Sequence, residues 1–185
     1  MIQRYQAKLA KPLVNQLIAI LQRDQQAALD IVNAARPPGR ELKPFAAFHK
    51  EVVTVQNWPA LVLAPQEISF DANSDADLRT QSLRFVCAMA ITGADPEWLA
   101  EDALDYLRAV DMVLTSAPLG DFYAPLDINH RTVPDGQTVG LDPAVSRILD
   151  LRILRHDLGA LVARSRSAGL ARGPQIEFVI EMEER

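Results

Sequence analysis

Few side chains in this sequence could do chemistry. The three histidines, His49, His130 and His156, and the single cysteine, Cys87, are the candidates. His130 follows Asp127 by three residues and His156 adjoins Asp157, so a metal site from Asp127, His130, His156 and Asp157 can be drawn. Its spacing matches no defined ligand set, and loop His and Asp residues are common, so surface or structural roles are the ordinary reading. One Cys removes the common thiolate zinc sites and any intrachain disulfide. Cys87 falls on the apolar face of an alternating segment, where desolvation raises a thiol's pKa, the opposite of activation. His49 reads as a linker residue. No G-x-x-x-x-G-K, G-x-G-x-x-G, H-E-x-x-H or G-x-S-x-G motif occurs. The residues therefore suggest no catalytic set, no metal site and no cofactor.

Charge narrows the partners. The chain has 185 residues and a formal net charge of -5, unlike the basic excess of nucleic-acid binders. The charge is uneven: residues 1–50 hold eight basic and three acidic side chains, and residues 65–121 hold eleven acidic and three basic. Such blocks suit head-to-tail docking of copies, and a solvated acidic face explains them equally well. The arginines Arg164, Arg166 and Arg172 form a basic arm without interleaved aromatics, better suited to solvent or subunit contacts than to phosphates. Trp58 and Trp98 are equally suited to anchoring an interface and to packing within the subunit. No apolar run approaches the ~18–20 residues that span a bilayer, and the N-terminus lacks a signal-peptide pattern, so a soluble cytoplasmic chain is expected.

The elements that must position these residues read as α+β. An amphipathic helix is expected over about 11–35, with Pro12 in its first turn and Val14, Leu17, Ile18, Leu21, Ala28 and Val32 as its apolar stripe. Residues 51–56 and 60–64 read as a hairpin around Asn57-Trp58-Pro59, followed by an acidic loop over 65–78. From Arg79 to Thr92 the odd positions Leu83, Phe85, Cys87, Met89 and Ile91 make one buried strand face. Asp95-Pro96-Glu97 starts a second helix reaching about Ser116, with Asp105 and Arg108 spaced for a surface pair. Residues 117–145 read as a long loop with a possible short strand over Leu126–Val133. Residues 145–156 carry both strand and helix periodicities, with the balance towards strand; 157–173 read as the basic arm and Gln175–Glu184 as a last strand. The expectation is one domain over 1–185: a mainly antiparallel sheet flanked by two long helices, with long loops.

This order of elements resembles the tail-terminator, or tail-completion, proteins of long-tailed phages. The segments that carry the likeness are LVNQLIAILQ, PALVLAPQEISFD, RTQSLRFVCAMAITGADPEWLAEDALDYLRAVDMVL and PQIEFVIEMEER. The stretch 117–173 is longer and more irregular than in that family. The resemblance implies a virion protein made in the host cytoplasm, without a cofactor and away from membranes. It implies a homo-oligomeric ring, a hexamer, that caps the tail tube protein, ends tube growth and meets a neck or head-tail connector protein. DNA would pass through its channel unread. A ring needs two different patches on each copy. Exposed long loops are the candidates for them: Glu67, Phe70, Asp71, Asp75 and Asp77 in the acidic loop, Asp121, Phe122, Tyr123, Arg131 and Asp135 in the long loop, and Arg164, Arg166 and Arg172 in the arm. The alternatives are a head-completion or head-to-tail joining protein, a monomeric adaptor, and, from another class, a small metal-dependent hydrolase using His130 and His156.

Overall fold

Leu83, Phe85, Cys87, Met89 and Ile91 are all buried to 2% exposure or less, which makes their strand the spine of the molecule. The computed structural model describes residues 2–50, 57–70, 79–123, 141, 143–144, 146–164 and 169–184. In chain order they form α1 (Ile2–Asn33), β1 (Ala47–His49), β2 (Ala60–Phe70), β3 (Arg79–Gly93), α2 (Pro96–Ser116), a 3-10 turn (Leu119–Phe122), β4 (Ser146–Asp157), β5 (Leu161–Ala163), β6 (Leu170–Arg172) and β7 (Gln175–Glu184). The class is α+β, as the periodicities indicate, with a mixed seven-stranded sheet in which only β1 and β2 run parallel.

The topology follows from the length of β3. One edge pairs with β2 over Gln81–Ala90. The other edge is shared: β7 takes Arg79–Ala88 and β6 takes Ile91–Gly93, while β4 and β5 pair outside them. β4 with β5, and β6 with β7, thus act as two long strands, each bent at the same level. The Met89 N–H donates to the Pro174 carbonyl at 2.7 Å and bridges the gap between β6 and β7.

Both helices contribute to the core that covers one sheet face. Leu13, Leu17 and Leu21 of α1 and Leu99, Ala103 and Val110 of α2 join Phe85, Phe178 and Ile180 in one cluster. The Phe85 and Phe178 rings stack with centroids 5.3 Å apart, directly opposite each other in the β3–β7 register. Burying one such ring contributes about 1.5–3 kcal/mol. Asp95 caps α2 by accepting from the Glu97 and Trp98 N–H groups, with Pro96 at the first position.

Several expectations are corrected. α1 begins at Ile2, so Pro12 lies inside the helix; it forgoes one i→i−4 bond, while the densely buried run from Leu13 to Leu21 stabilises the helix beyond it. The hairpin is replaced: one edge of Ala60–Val62 is taken by β1 in parallel and the other by β3, and residues 51–56 lie outside the described residues. His49 is a strand residue, not a linker. The acidic loop is β2 as far as Phe70: Pro65 stays in register with Phe85, and a bulge at Gln66 shifts the strand before it continues from Glu67. Asp105 pairs with Arg36 rather than Arg108. Within the basic arm, β5 and β6 form a hairpin, closed by the Arg164 N–H donating to the Gly169 carbonyl. Three-residue strands leave no alternation to read. The short strand over Leu126–Val133 falls outside the described residues.

Candidate assembly interface

The register that turns Phe85, Phe178 and Ile153 inward turns their neighbours to the opposite face, where a cross-strand ladder of ion pairs lies. Glu177 of β7 stands between Arg84 of β3 and Arg155 of β4 and pairs with both, at 2.5 Å to Arg84. Its side chain is 8% exposed, while the two arginines extend over it at 44% and 58%. The hydrogen bond from Arg84, with Arg155 adding to it, holds the Glu177 carboxyl below its ordinary value despite the opposing effect of desolvation. Two residues along, Arg152 links Asp150 at 3.1 Å to Glu181. An exposed pair such as Arg152–Asp150 contributes about 0–1 kcal/mol, so this end of the ladder specifies a charged face more than it stabilises the fold.

The sheet edge has a different character. Among the described residues β4 pairs with β7 on one side only, leaving a row of backbone groups along the other. Two bulges interrupt it, between Ile148 and Asp150 and between Ile153 and Arg155. The extra residue in each bulge is a leucine, Leu149 or Leu154, and both are exposed. The row continues through Leu158 and then Leu161 and Val162 of β5, all exposed. Bulges discourage indiscriminate strand addition at an edge. A run of exposed apolar side chains beside them marks a surface that another chain can cover.

The residues singled out from the sequence are scattered. Glu67 is exposed on β2, opposite Arg84 in register and therefore on the charged face. Phe70 ends β2. Asp71, Asp75, Asp77, Arg131, Asp135 and Arg166 lie outside the described residues. Asp121 is tied to α1: its carboxylate accepts from Arg23 at 2.6 Å and its carbonyl accepts from the Gln16 side chain. Phe122 is corrected from interface to core, since at 1% exposure it packs over α1 and offers no surface to a second chain. The half-buried Tyr123 accepts the Ile148 N–H on its hydroxyl and so holds the start of β4. Arg164 is exposed over the Trp58 ring, 5.3 Å from its centroid, and Arg172 is half-buried opposite Ile91.

The suggested metal residues do not converge. His156 pairs with Asp111 of α2 at 3.1 Å, while Asp157 accepts the Gly159 N–H at 2.7 Å. Opposite Ile176 and Gln175, the two take alternate sheet faces. His130 and Asp127 lie outside the described residues, among which no three His, Cys, Asp or Glu side chains group as metal ligands do. Cys87 is fully buried, and desolvation pushes its thiol up to about 12. No helix among the described residues is long and apolar enough to cross a membrane. The sequence reading missed the apolar edge. In the sequence Leu149 continues the alternation of Leu151 and Ile153, and only the register with β7 marks Leu149 and Leu154 as the extra residues of two bulges.

No protein-family model matches this chain, and no curated protein does. Among solved structures, a chain from the virion of a native gene transfer agent particle is similar at 18% identity and a TM-score of 0.45, over 85% of this chain and 93% of that one.

Proposed function

We propose that this chain is a structural subunit that assembles with copies of itself into a ring and caps the tail tube of a phage-like particle, ending tube growth and meeting the neck on the head side. The observation that carries self-assembly is the β4–β5 edge, unpaired among the described residues and lined by exposed Leu149, Leu154, Leu158, Leu161 and Val162. The charged ladder around Glu177 lies on a different surface, and a closed ring needs two unlike patches on each copy. The choice of a tail tube as the thing capped comes from the resemblance of the element order to tail terminators. In this reading the interfaces do the work, and no reaction is assigned.

The test is negative-stain imaging of polymerising tail-tube protein with and without this protein. The expected result is a ring-shaped density at one tube end and tubes that stop lengthening. Tubes of unchanged length with bare ends would overturn the capping role. A mass of one chain at every concentration, together with bare ends, would overturn the ring as well.

A further inference from the structure

Of the two tryptophans, Trp58 lines a pocket, and Trp98 lies under an arginine of its wall. The pocket has a volume of about 330 Å³ and opens between the segment 36–43, the entry to β2 at Trp58 and Pro59, the end of β3 and the first half of α2. Most polar groups of its wall are already paired. Arg36, whose side chain is 7% exposed, is held by Asp102 and Asp105, and its Nε donates to the Arg40 carbonyl at 2.6 Å. The Tyr106 hydroxyl donates to the Lys43 carbonyl at 2.7 Å. Glu41 accepts the Gly39 N–H at 2.9 Å.

Arg40 is held differently, by its guanidinium sitting over the Trp98 ring with the central carbon 3.7 Å from the centroid. Stacking uses the face of a guanidinium and leaves its in-plane N–H groups unspent. Nη2 is buried and has no hydrogen-bond partner among the described residues. Nη2 is closed off, so an incoming oxygen would meet the remaining edge of the guanidinium, and a charged donor without an acceptor is costly to leave. The planar fork suits a carboxylate best. The surroundings limit the ligand further. With Arg36 held by Asp102 and Asp105, the remaining charged groups of the wall, Arg40, Lys43 and Glu41, leave one positive charge for a single carboxylate to balance, and Trp58, Leu42, Pro59 and Ile91 offer apolar walls to whatever carries it. The volume is at the small end for ligand pockets and suits a group about the size of one large side chain.

We propose that this pocket binds a single carboxylate borne beside an aromatic or large apolar group, with Arg40 as the anchor and Trp98 as the plate that orients it. Two sources carry that chemistry: a free acid, and the C-terminal residue of another polypeptide.

Tryptophan fluorescence reports on this pocket directly, and ligand-observed NMR gives a readout independent of the ring beneath Arg40. The probes are 3-phenylpropionate for a free acid and the tripeptide Ala-Ala-Phe, with a free C-terminus, for a chain end. Saturable binding of at least one is expected, and the tighter of the two identifies the source. The matching amides should bind at least about tenfold more weakly, as should either acid to Arg40→Met, with Arg40→Lys in between because it keeps the charge and loses the fork. Circular dichroism melts check that both variants are folded. Failure of both acids to saturate the protein overturns the proposal. So does equal binding of acid and amide, tighter binding of inorganic phosphate, or unchanged binding to folded Arg40→Met.

Discussion

Gly159 and Gly173 cross where the two long strands bend, so closely that a Cβ on Gly159 would lie 2.2 Å from the Gly173 carbonyl oxygen. Gly159 also sits at φ +68°, in the left-handed region that a side chain disfavours. The crossing lets β4 run on into β5 while β6 runs on into β7, and so aligns the apolar edge. Gly159→Ala meets a backbone clash and backbone strain together, and its expected cost is more than about 2 kcal/mol. Gly120→Ala, where a Cβ meets nothing within 4 Å, should change stability by less than about 0.5 kcal/mol. Urea denaturation of the two variants beside the parent checks this. Equal stabilities would show that the crossing does not constrain the fold.

Glu177 sets an acid limit. Its carboxyl is held below the ordinary 4.5 first by the Arg84 hydrogen bond, so in the folded state it binds its proton less readily than in the unfolded state. The stabilisation is therefore complete above the unfolded value and is lost as pH falls through the lower, folded one. Melting temperatures taken from about pH 6 down to about pH 3 should fall for the parent and fall less steeply for Glu177→Gln. Parallel curves would mean that the two arginines do not favour the ionised form.

Asp95 should give a stability change confined to one helix end. Its Oδ1 accepts from the Glu97 N–H at 2.8 Å and the Trp98 N–H at 3.1 Å, two donors that the helix itself cannot satisfy. Asp95→Ala should cost about 1 kcal/mol and Asp95→Asn only a few tenths, measured by chemical denaturation. Equal costs for the two would assign the effect to charge rather than to capping.

How much of the fold could be read depends on the residue and its surroundings. The alternation from Leu83 to Ile91 and the Asp95-Pro96 start are local signals, and both elements form where those signals place them. β4 is the instructive middle case. Leu151, Leu154, Leu158 and Leu161 suggest a helix, yet Leu154 is the extra residue of a bulge and Leu158 and Leu161 lie beyond the end of β4, so a broken strand and its continuation mimic a longer period. β2 extends past Pro65, which stays in register with Phe85 while Gln66 bulges, and that is set by the partner strand rather than by Pro65 itself. The candidate site was the least legible part. Exposed loops were favoured as interfaces, yet Phe122 belongs to the core and Asp121 is tied to α1 because a later segment folds back over the first helix. The apolar edge and the pocket at Arg40 depend on register and on contacts distant in sequence, which no window along the chain displays.

Phe178 calibrates the core against the edge. It is fully buried and stacked on Phe85, so Phe178→Ala should cost about 3–5 kcal/mol through lost transfer energy and the cavity left behind. Leu154→Ala, at a residue 49% exposed, should stay within about 0.5 kcal/mol. Denaturation midpoints with a common slope test both values. A large cost for Leu154→Ala would mean that the leucine packs within its own subunit and is not held out for another.

The edge prediction then follows from that contrast. If Leu154 contributes little to its own fold, a charge there should leave the subunit folded and act only on what docks against it. The double change Leu149→Lys with Leu154→Lys places two cations where β4 exposes its two bulged leucines. Strand edges carrying lysines resist further pairing, because a neighbour would have to desolvate the charges. The expected outcome is an unchanged circular dichroism spectrum and melting temperature, loss of rings in negative stain, and tube ends left bare. Ile31→Lys, on a helix residue that is 60% exposed, supplies the comparison: it adds a charge at an exposed apolar position away from the edge. If the double variant still formed rings while Ile31→Lys abolished them, assembly would run through the helical layer, and the unpaired edge would no longer support the proposed function.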